Sequence, residues 1–287
     1  MAIEGLTIIG ESINDSVPST KKLYEANDIE GLKELARMQD VGGASWIDVN
    51  VGLRSPEFMA DMVRTIQGVT AKPLSIDTPD YDLAAAGLRA YDPSRAGGKP
   101  PILNSISLMR TKMFDLYREQ PFMPLLLSCE HEENGASKPN RTAEENFASA
   151  KELVRIANAH GIPNEHCIVD PGIAPIGSDT EGITKMVLDT IAAVHADPEL
   201  AGVHASVGLS NFTVMLPLKR ADGSPVKGPL ESAFLTLAIP RGLDFIIGSV
   251  KRNYQILPED HPALICLKDV LTKSGYDGVM RVMEFYS

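Results

Sequence analysis

Short runs of apolar residues alternate with amphipathic segments along the whole chain. The runs are continuous in Ile, Val and Leu, which is typical of parallel strands that are covered on both faces. The predicted strands span residues 5–9, 45–50, 73–77, 101–105, 123–128, 166–169, 203–207 and 243–247. Between them, residues such as Ile29, Leu32 and Leu35 keep helical spacing. The pattern therefore predicts eight strand–helix units.

Several predicted helices carry capping residues at their ends. Helix starts are predicted at Asp28, at Ser55 before Pro56, and at two capping boxes, Thr142 with Glu145 and Ser178 with Glu181. Gly161 followed by Pro163 predicts the end of the helix that begins near residue 142.

Eight strand–helix units without a compositional break favour an α/β fold, a (β/α)8 TIM barrel, as a single domain over residues 1–287. The alternative is a doubly wound open sheet, but Glu11-Ser12-Ile13-Asn14 is not the Gly-rich turn usual after its first strand. The longest connections, residues 11–27, 129–140 and 211–228, are expected to rim one face of the barrel.

Charge and composition exclude several classes of protein. A net charge of −11 argues against nucleic-acid binding, which needs clustered Lys and Arg. We expect no membrane span and no signal peptide, because no apolar run approaches ~18 residues and the N-terminus lacks a basic segment before a long apolar stretch. Three widely spaced cysteines without a CxxC motif favour a reduced, cytoplasmic protein and no zinc site.

Carboxylates and amides recur where the predicted strands end. These residues are Glu11, Asp48, Asn50, Asp77, Asn104, Glu130, Asp170 and Asn211. A buried carboxylate or amide is costly unless a partner donates to it, so the recurrence predicts one shared polar cup. In a barrel, the carboxyl ends of all strands meet at one face, which would bring these residues together.

The residues of this cup limit its chemistry. No lysine ends a strand before the eighth, no Gly-x-Ser-x-Gly motif occurs, and the histidines are spread out. Cys129-Glu130-His131 is weak evidence for a metal, and no metal site is predicted. An acid–amide cup suits a neutral heterocycle with several N–H donors, such as the 2-amino-4-oxo ring of guanine or pterin, because one carboxylate accepts from two neighbouring donors.

The order of these motifs resembles the pterin-binding methyltransferase family, whose members move a methyl group between tetrahydrofolate and a corrinoid protein. The segments that carry the resemblance are 9–14 (IGESIN), 47–52 (IDVNVG), 73–77 (PLSID), 104–106 (NSI), 170–172 (DPG) and 208–211 (GLSN). The match runs in order from residue 8 to about 248. The resemblance implies a pterin-binding (β/α)8 barrel, with tetrahydrofolate or 5-methyltetrahydrofolate as a substrate.

The resemblance also implies roles for individual residues. Asp77, Asn104 and Asp170 would hold the pterin, and Glu11, Asn14 and Asp48 would line the same opening. Asn211 would lie beside N5 as the catalytic residue. Taken singly, Asp170 could belong to a turn, Asn104 could bond nearby backbone, and Asp48 or Asn50 could brace a loop.

One departure lies after the seventh strand. Relatives commonly carry an arginine near Lys219, and either Lys219 or Arg220 could serve, so neither is placed in the core site. The first alternative function is that of a dihydropteroate synthase. That family is expected to carry a lysine near the seventh strand, and Leu209-Ser210-Asn211 lacks it. The second alternative is a non-catalytic pterin-binding subunit.

The resemblance further implies a corrinoid carried by a separate partner protein that docks over the barrel mouth. It favours transfer from the methylcorrinoid protein to tetrahydrofolate, in O-demethylation or one-carbon metabolism. Relatives also suggest a homodimer.

Overall fold

Eight parallel strands form the centre of the computed structural model, which describes residues 3–287. The strands of the chain, in order, are β1 (Thr7–Asn14), β2 (Trp46–Asn50), β3 (Leu74–Asp77), β4 (Ile102–Ile106), β5 (Met123–Leu127), β6 (Glu130–Glu133), β7 (Ala136–Pro139), β8 (Ile168–Asp170), β9 (His204–Ala205) and β10 (Phe245–Gly248). All except β6 and β7 belong to the parallel sheet. Each of the eight predicted runs overlaps one of these strands, so the strand predictions are confirmed.

The sheet closes into a barrel. Its strands are ordered β10-β1-β2-β3-β4-β5-β8-β9. Between the outer two, Ile247 N donates to Val207 O over 2.9 Å and Asp244 N donates to Ala205 O over 3.3 Å. The predicted (β/α)8 barrel is therefore confirmed, and the open doubly wound sheet is excluded.

Helices surround the barrel. They are α1 (Pro18–Glu25), α2 (Ile29–Val41), α3 (Pro56–Gln67), α4 (Tyr81–Ala90), α5 (Ala143–Ala159), α6 (Ile183–Ala196), α7 (Leu209–Phe212), α8 (Lys227–Ala238), α9 (Pro262–Val270) and α10 (Tyr276–Tyr286). Short 3-10 segments span Pro93–Ala96, Leu108–Arg118, Asn164–His166, Ile176–Ser178, Pro198–Leu200 and Ile239–Arg241. Among residues 3–287, no helix has the length and apolar character needed to cross a membrane.

The predicted N-caps of α2, α3 and α5 are confirmed. Asp28 accepts from Gly31 N, Ser55 accepts from Phe58 N, and Thr142 forms a complete capping box with its partner glutamate. The capping box predicted at Ser178 and Glu181 is wrong. Residues 176–178 form a 3-10 turn, and Asp179 accepts the backbone N–H groups at the start of α6 instead.

The barrel interior is apolar in its lower part. One cluster of buried side chains fills it: Ile9, Ile102, Met123, Leu125, Ile168 and Phe245. Burial of each such side chain stabilises the fold by roughly 1.5–3 kcal/mol. Two larger apolar clusters lie between the barrel and its helices. The side chains at the carboxyl ends of the strands are polar, so the interior opens there into a polar cavity.

The three long connections contain regular secondary structure, although their sequences show no apolar periodicity. Residues 11–27 contain the end of β1 and all of α1. Residues 129–140 contain the antiparallel hairpin of β6 and β7, and residues 211–228 include the end of α7. All three connections follow strand ends at the same face of the barrel.

Candidate active site

A cavity of about 620 Å³ opens at the carboxyl ends of the strands. The structure brings all seven predicted site residues to its wall: Glu11, Asn14, Asp48, Asp77, Asn104, Asp170 and Asn211. Leu125, Leu127, Ile173 and Ile247 add apolar surface to the lining. Because the strands are parallel and the barrel is closed, residues up to 200 positions apart in sequence meet here.

Asp48 is the most deeply buried acid of the cavity, with 1% of its surface exposed. Ser75 Oγ donates to its Oδ1 over 2.6 Å, and Asn104 Nδ2 approaches the same oxygen at 3.4 Å. Burial raises the pKa of Asp48 well above its usual range, and the negative charge of Asp77 raises it further. Asp48 therefore organises the polar floor of the cavity.

Asp77 ends β3 and receives two side-chain amides. Asn50 Nδ2 donates to its Oδ2 over 3.0 Å, and Asn14 Nδ2 lies 3.5 Å from the same oxygen. Burial raises the pKa of Asp77, whereas the hydrogen bond from Asn50 lowers it. Because like charges so close disfavour double ionisation, Asp48 and Asp77 form a pair in which one carboxyl tends to hold a proton.

Asp170 ends β8, where it both accepts a hydrogen bond within a turn and lines the cavity. Its Oδ1 accepts from Gly172 N over 2.8 Å, as in a turn, while the side chain lines the cavity. Gly172 has φ +77°, and a Cβ there would lie 2.5 Å from Cys129 Cβ, so the turn requires glycine. Burial raises the pKa of Asp170 to about 7.

Glu11 enters the cavity from an irregular part of β1. The pairing of β1 with β2 shifts register between Gly10 and Ile13. Gly10 packs so closely on Gln39 that a Cβ would lie 2.6 Å from Gln39 Oε1. The Glu11 carboxylate accepts a hydrogen bond from the hydroxyl of Ser210. Burial raises the pKa of Glu11, and this hydrogen bond partly opposes the effect.

Asn211 also lines the cavity, from the short helix α7. Its side chain is exposed, and its amide makes no hydrogen bond to another residue within 3–287. The Nδ2 atom of Asn211 lies so close to Gly208 that a Cβ added to this glycine would be 2.9 Å from it. The amide is therefore free to contact a ligand in the cavity.

Some sequence candidates lie elsewhere. Glu130 belongs to the β6–β7 hairpin, where it accepts from Ser137, and it does not line the cavity. Arg220 stacks on Phe285, with 4.7 Å from its guanidinium carbon to the ring centroid, and neither it nor Lys219 lines the cavity. Within residues 3–287, no group of three or more His, Cys, Asp or Glu is arranged to hold a metal ion.

Sequence reasoning assigned no role to several residues that support the cavity. Ser75 and Ser210 donate to Asp48 and Glu11. Glu231 is fully buried on α8, where Thr213 Oγ1 donates to it. The sequence contained a signal for Glu231, because this acid lies between Leu230 and Ala233-Phe234 in an otherwise apolar segment.

The lining determines which ligands fit. Its charged side chains are all carboxylates, and no Lys, Arg or His among the described residues reaches it. Carboxylates and amides at the cavity wall match adjacent N–H donors and an oxo group on the edge of a heterocycle. Apolar residues on the same walls provide contacts for the ring faces. The cavity therefore suits a planar, neutral ring with several N–H groups.

Comparisons with known proteins agree with this geometry. The chain is 28% identical over 252 residues to a methylcorrinoid:tetrahydrofolate methyltransferase of Eubacterium limosum, covering 83% of each chain. Its fold is similar to that of a Yersinia pestis DHPS solved with a pterine-sulfa conjugate (TM-score 0.58, 14% identity, 93% of this chain and 95% of the other). A 7,8-dihydropteroate synthase of Vibrio fischeri ES114 gives a TM-score of 0.57 at 15% identity, over 84% and 86% of the two chains. The model of the pterin binding enzymes matches residues 13–248, so this chain belongs to that family.

Proposed function

We propose that the protein is a methyltransferase that moves a methyl group between a corrinoid protein and N5 of tetrahydrofolate. The observation that carries this proposal is an unbonded amide, that of Asn211, on the wall of a cavity whose other polar side chains are acids, amides and serines. A protein that only bound the ring would need the acids but no free amide beside them. The name of the Eubacterium limosum relative supports the same reaction.

In this proposal, three residues bind the pterin edge. Asp170 and Asp77 accept from the ring N–H and the exocyclic amine, and Asn104 pairs with the remaining ring atoms. Hydrogen bonds to charged groups contribute roughly 1.5–3 kcal/mol each, which is enough to fix the orientation of the ring. Glu11, Asn14 and Asp48 complete the wall around it.

Asn211 is the proposed catalytic residue. In transfer towards tetrahydrofolate, the N5 lone pair forms the bond to the methyl carbon, the cobalt–carbon bond breaks, and its electron pair stays on cobalt. The proton of N5 passes to solvent water at the open mouth of the cavity. The Asn211 carbonyl oxygen is suited to accept from N5–H, and its NH2 group to polarise a methylated N5 in the reverse direction. Alignment of the two reactants contributes further, by about 7–11 kcal/mol in favourable cases.

We infer that the corrinoid arrives on a partner protein that docks over the barrel mouth. Exposed apolar side chains surround this mouth: Leu53, Met109, Val214, Met215 and Leu218. Such residues favour a protein contact at this face. We further propose that the physiological direction is towards 5-methyltetrahydrofolate, in O-demethylation or one-carbon metabolism.

A homodimer is also proposed. Helix α10 exposes Tyr276, Met280 and Met283 at helical spacing, beside exposed Ile265 of α9. The inner face of α10 is buried through Val282 and Phe285, so the helix is apolar on two sides. Sedimentation analysis of the wild type and of Met280→Lys tests this proposal: a monomeric wild type contradicts it.

The reaction is tested by mixing the protein with methylcobalamin and tetrahydrofolate under anaerobic conditions. We expect the cob(I)alamin spectrum to appear together with 5-methyltetrahydrofolate, and only when protein and both reactants are present. Absence of both products contradicts the proposed reaction. Formation of dihydropteroate from a pterin pyrophosphate and p-aminobenzoate would instead identify a synthase.

A further inference from the structure

The short helix α7 is bound at both ends by carboxylates on different elements, one half-buried and one fully buried. The Ser210 hydroxyl donates to Glu11 of β1. Thr213, the C-cap residue, donates through Oγ1 to Glu231 Oε1 of α8 over 2.5 Å. Asn211 lies between these two contacts. Its place at the cavity wall therefore depends on both carboxylates.

Packing alone does not explain Glu231. The residue has 0% exposure on a helix whose buried neighbours include Leu230, Ala233 and Phe234. Arg252 Nε lies 3.2 Å from Glu231 Oε2, yet that oxygen has no hydrogen-bond partner in the described part of the chain. Replacing a buried ion pair by apolar residues is often neutral or stabilising, so stability gives little reason for a glutamate here.

The local backbone offers α7 few other restraints. Gly208 precedes it without a side-chain cap, and Val214 and Met215 after it are exposed. Met215 also has φ +69°, a conformation that few residues with a side chain adopt. A helix of four residues forms too few internal hydrogen bonds to fix its own orientation. At its C-terminal end, Phe212 packs on Phe234 with 5.1 Å between the ring centroids, and the Thr213–Glu231 hydrogen bond adds a directional polar restraint to this packing.

We propose that Glu231 is a positioning residue for the methyl transfer: through Thr213, and with Arg252 balancing its charge, it fixes α7 so that the Asn211 amide faces N5. This inference rests on the proposed function. Glu231 touches neither reactant and does not line the cavity. Its effect on the reaction should therefore appear in turnover and not in pterin affinity.

Thr213→Val tests the inference, because valine keeps the shape of threonine and removes its hydroxyl. We expect kcat to fall by about tenfold to a hundredfold, as for a small misplacement of a reacting group, with the tetrahydrofolate Kd within about twofold of wild type. Thr213→Ser retains the hydroxyl and should restore most of kcat. Glu231→Gln retains an acceptor for Thr213 but leaves Arg252 unbalanced, and should give an intermediate kcat.

Thr190→Val is the matched control. Thr190 is also fully buried, on α6, and its hydroxyl donates to Met186 O over 2.9 Å. This variant should lose a similar amount of thermal stability with kcat unchanged. Wild-type kcat in Thr213→Val would overturn the inference, as would equal losses of kcat in Thr213→Val and Thr190→Val. If Thr213→Val does not fold, Thr213→Ser and Glu231→Gln are compared instead. A wild-type kcat in Glu231→Gln then overturns the positioning role of Glu231.

The two proposals fail in different ways. If wild-type protein forms no cob(I)alamin, or if Asn211→Ala keeps full turnover, the proposed reaction or the role of Asn211 is wrong, and the positioning role is overturned with it. If Asn211→Ala is slow but Thr213→Val is not, the reaction stands and only the role of Glu231 is rejected.

Discussion

Nδ2 of Asn50 donates a 3.0 Å hydrogen bond to Oδ2 of Asp77, and this bond joins the end of β2 to the end of β3 at the barrel mouth. Asn50 also accepts from Gly52 N over 2.8 Å, so its amide is fixed in one orientation. The hydrogen bond favours the ionised form of a buried carboxylate. Asn50 therefore prepares Asp77 to accept from a ligand.

Asn50→Asp should weaken the binding of tetrahydrofolate. The aspartate keeps the contact to Gly52 but replaces a donor to Asp77 with a second negative charge, which favours protonation of Asp77. Loss of one charged hydrogen bond, roughly 1.5–3 kcal/mol, corresponds to at least about tenfold in Kd. Calorimetry at pH 7 measures this effect. Asn158→Asp, at the far end of α5, is the control and should bind like the wild type.

Binding should also depend on pH through Asp170. Burial raises the pKa of this acid to about 7 in the free protein, whereas the proposed ligand needs the ionised form to accept its N–H groups. Affinity should therefore fall as pH drops through 7, by about tenfold between pH 8 and pH 6 for one titrating group. Binding near pH 7 should release protons, which calorimetry in buffers of different ionisation enthalpy detects.

Asp170→Asn keeps an acceptor for Gly172 N and removes this titration. We expect weak binding at every pH and a flatter profile between pH 6 and 8. The folding stability of the wild type should depend on pH in the opposite direction to its affinity for the ligand. A raised carboxyl pKa stabilises the fold below the unfolded pKa, and this contribution is lost as pH rises through about 7. A binding profile in Asp170→Asn as steep as that of the wild type would reject the assignment.

Asn211→Ala should separate catalysis from binding. The side chain is exposed and makes no hydrogen bond within the described residues, so its removal should leave stability unchanged. Loss of one group that stabilises the transition state typically reduces kcat by about 10²-fold or more. We expect this loss with a tetrahydrofolate Kd close to wild type, measured by cob(I)alamin formation and by calorimetry. Unchanged turnover contradicts the catalytic role, and Asn158→Ala is the control.

The strand ends could be predicted from the sequence because the relevant signals are local. A buried strand is a continuous apolar run, and Asp77 and Asp170 each directly follow such a run. Closure of the barrel then brings these ends together without further information. For the same reason, six of the seven candidate residues could be placed on one face from the strand ends, whereas Asn14 was placed there only by the family resemblance.

Other features depend on contacts that periodicity does not contain. The β6–β7 hairpin is exposed on both faces, so it has no apolar pattern, and only the turn at Asn134-Gly135 indicates it. At the start of α6, Ser178 and Glu181 have capping-box spacing, but Asp179 reaches the free N–H groups first. The role of Glu231 depends on where α8 packs against α7, which is a tertiary relationship.

The seam that closes the barrel should respond to pH. Asp244 Oδ1 accepts from Ala205 N over 3.0 Å, and its Oδ2 lies 2.5 Å from His204 Nδ1. The hydrogen bond to Asp244 raises the pKa of His204 above its usual value, although partial burial opposes this. The charged pair therefore stabilises the fold below about pH 6.5, and its contribution is lost as pH rises through the elevated pKa.

His204→Gln removes the charge while it keeps a polar side chain at the seam. At pH 6 we expect a melting temperature about 2–4 °C below that of the wild type, equivalent to ~1 kcal/mol. At pH 9 the two proteins should melt at nearly the same temperature, because the wild-type histidine is then neutral. His160→Gln is the control, since His160 stacks on Phe114 away from the seam. A constant difference in melting temperature from pH 6 to pH 9 would show that the ion pair does not stabilise the seam.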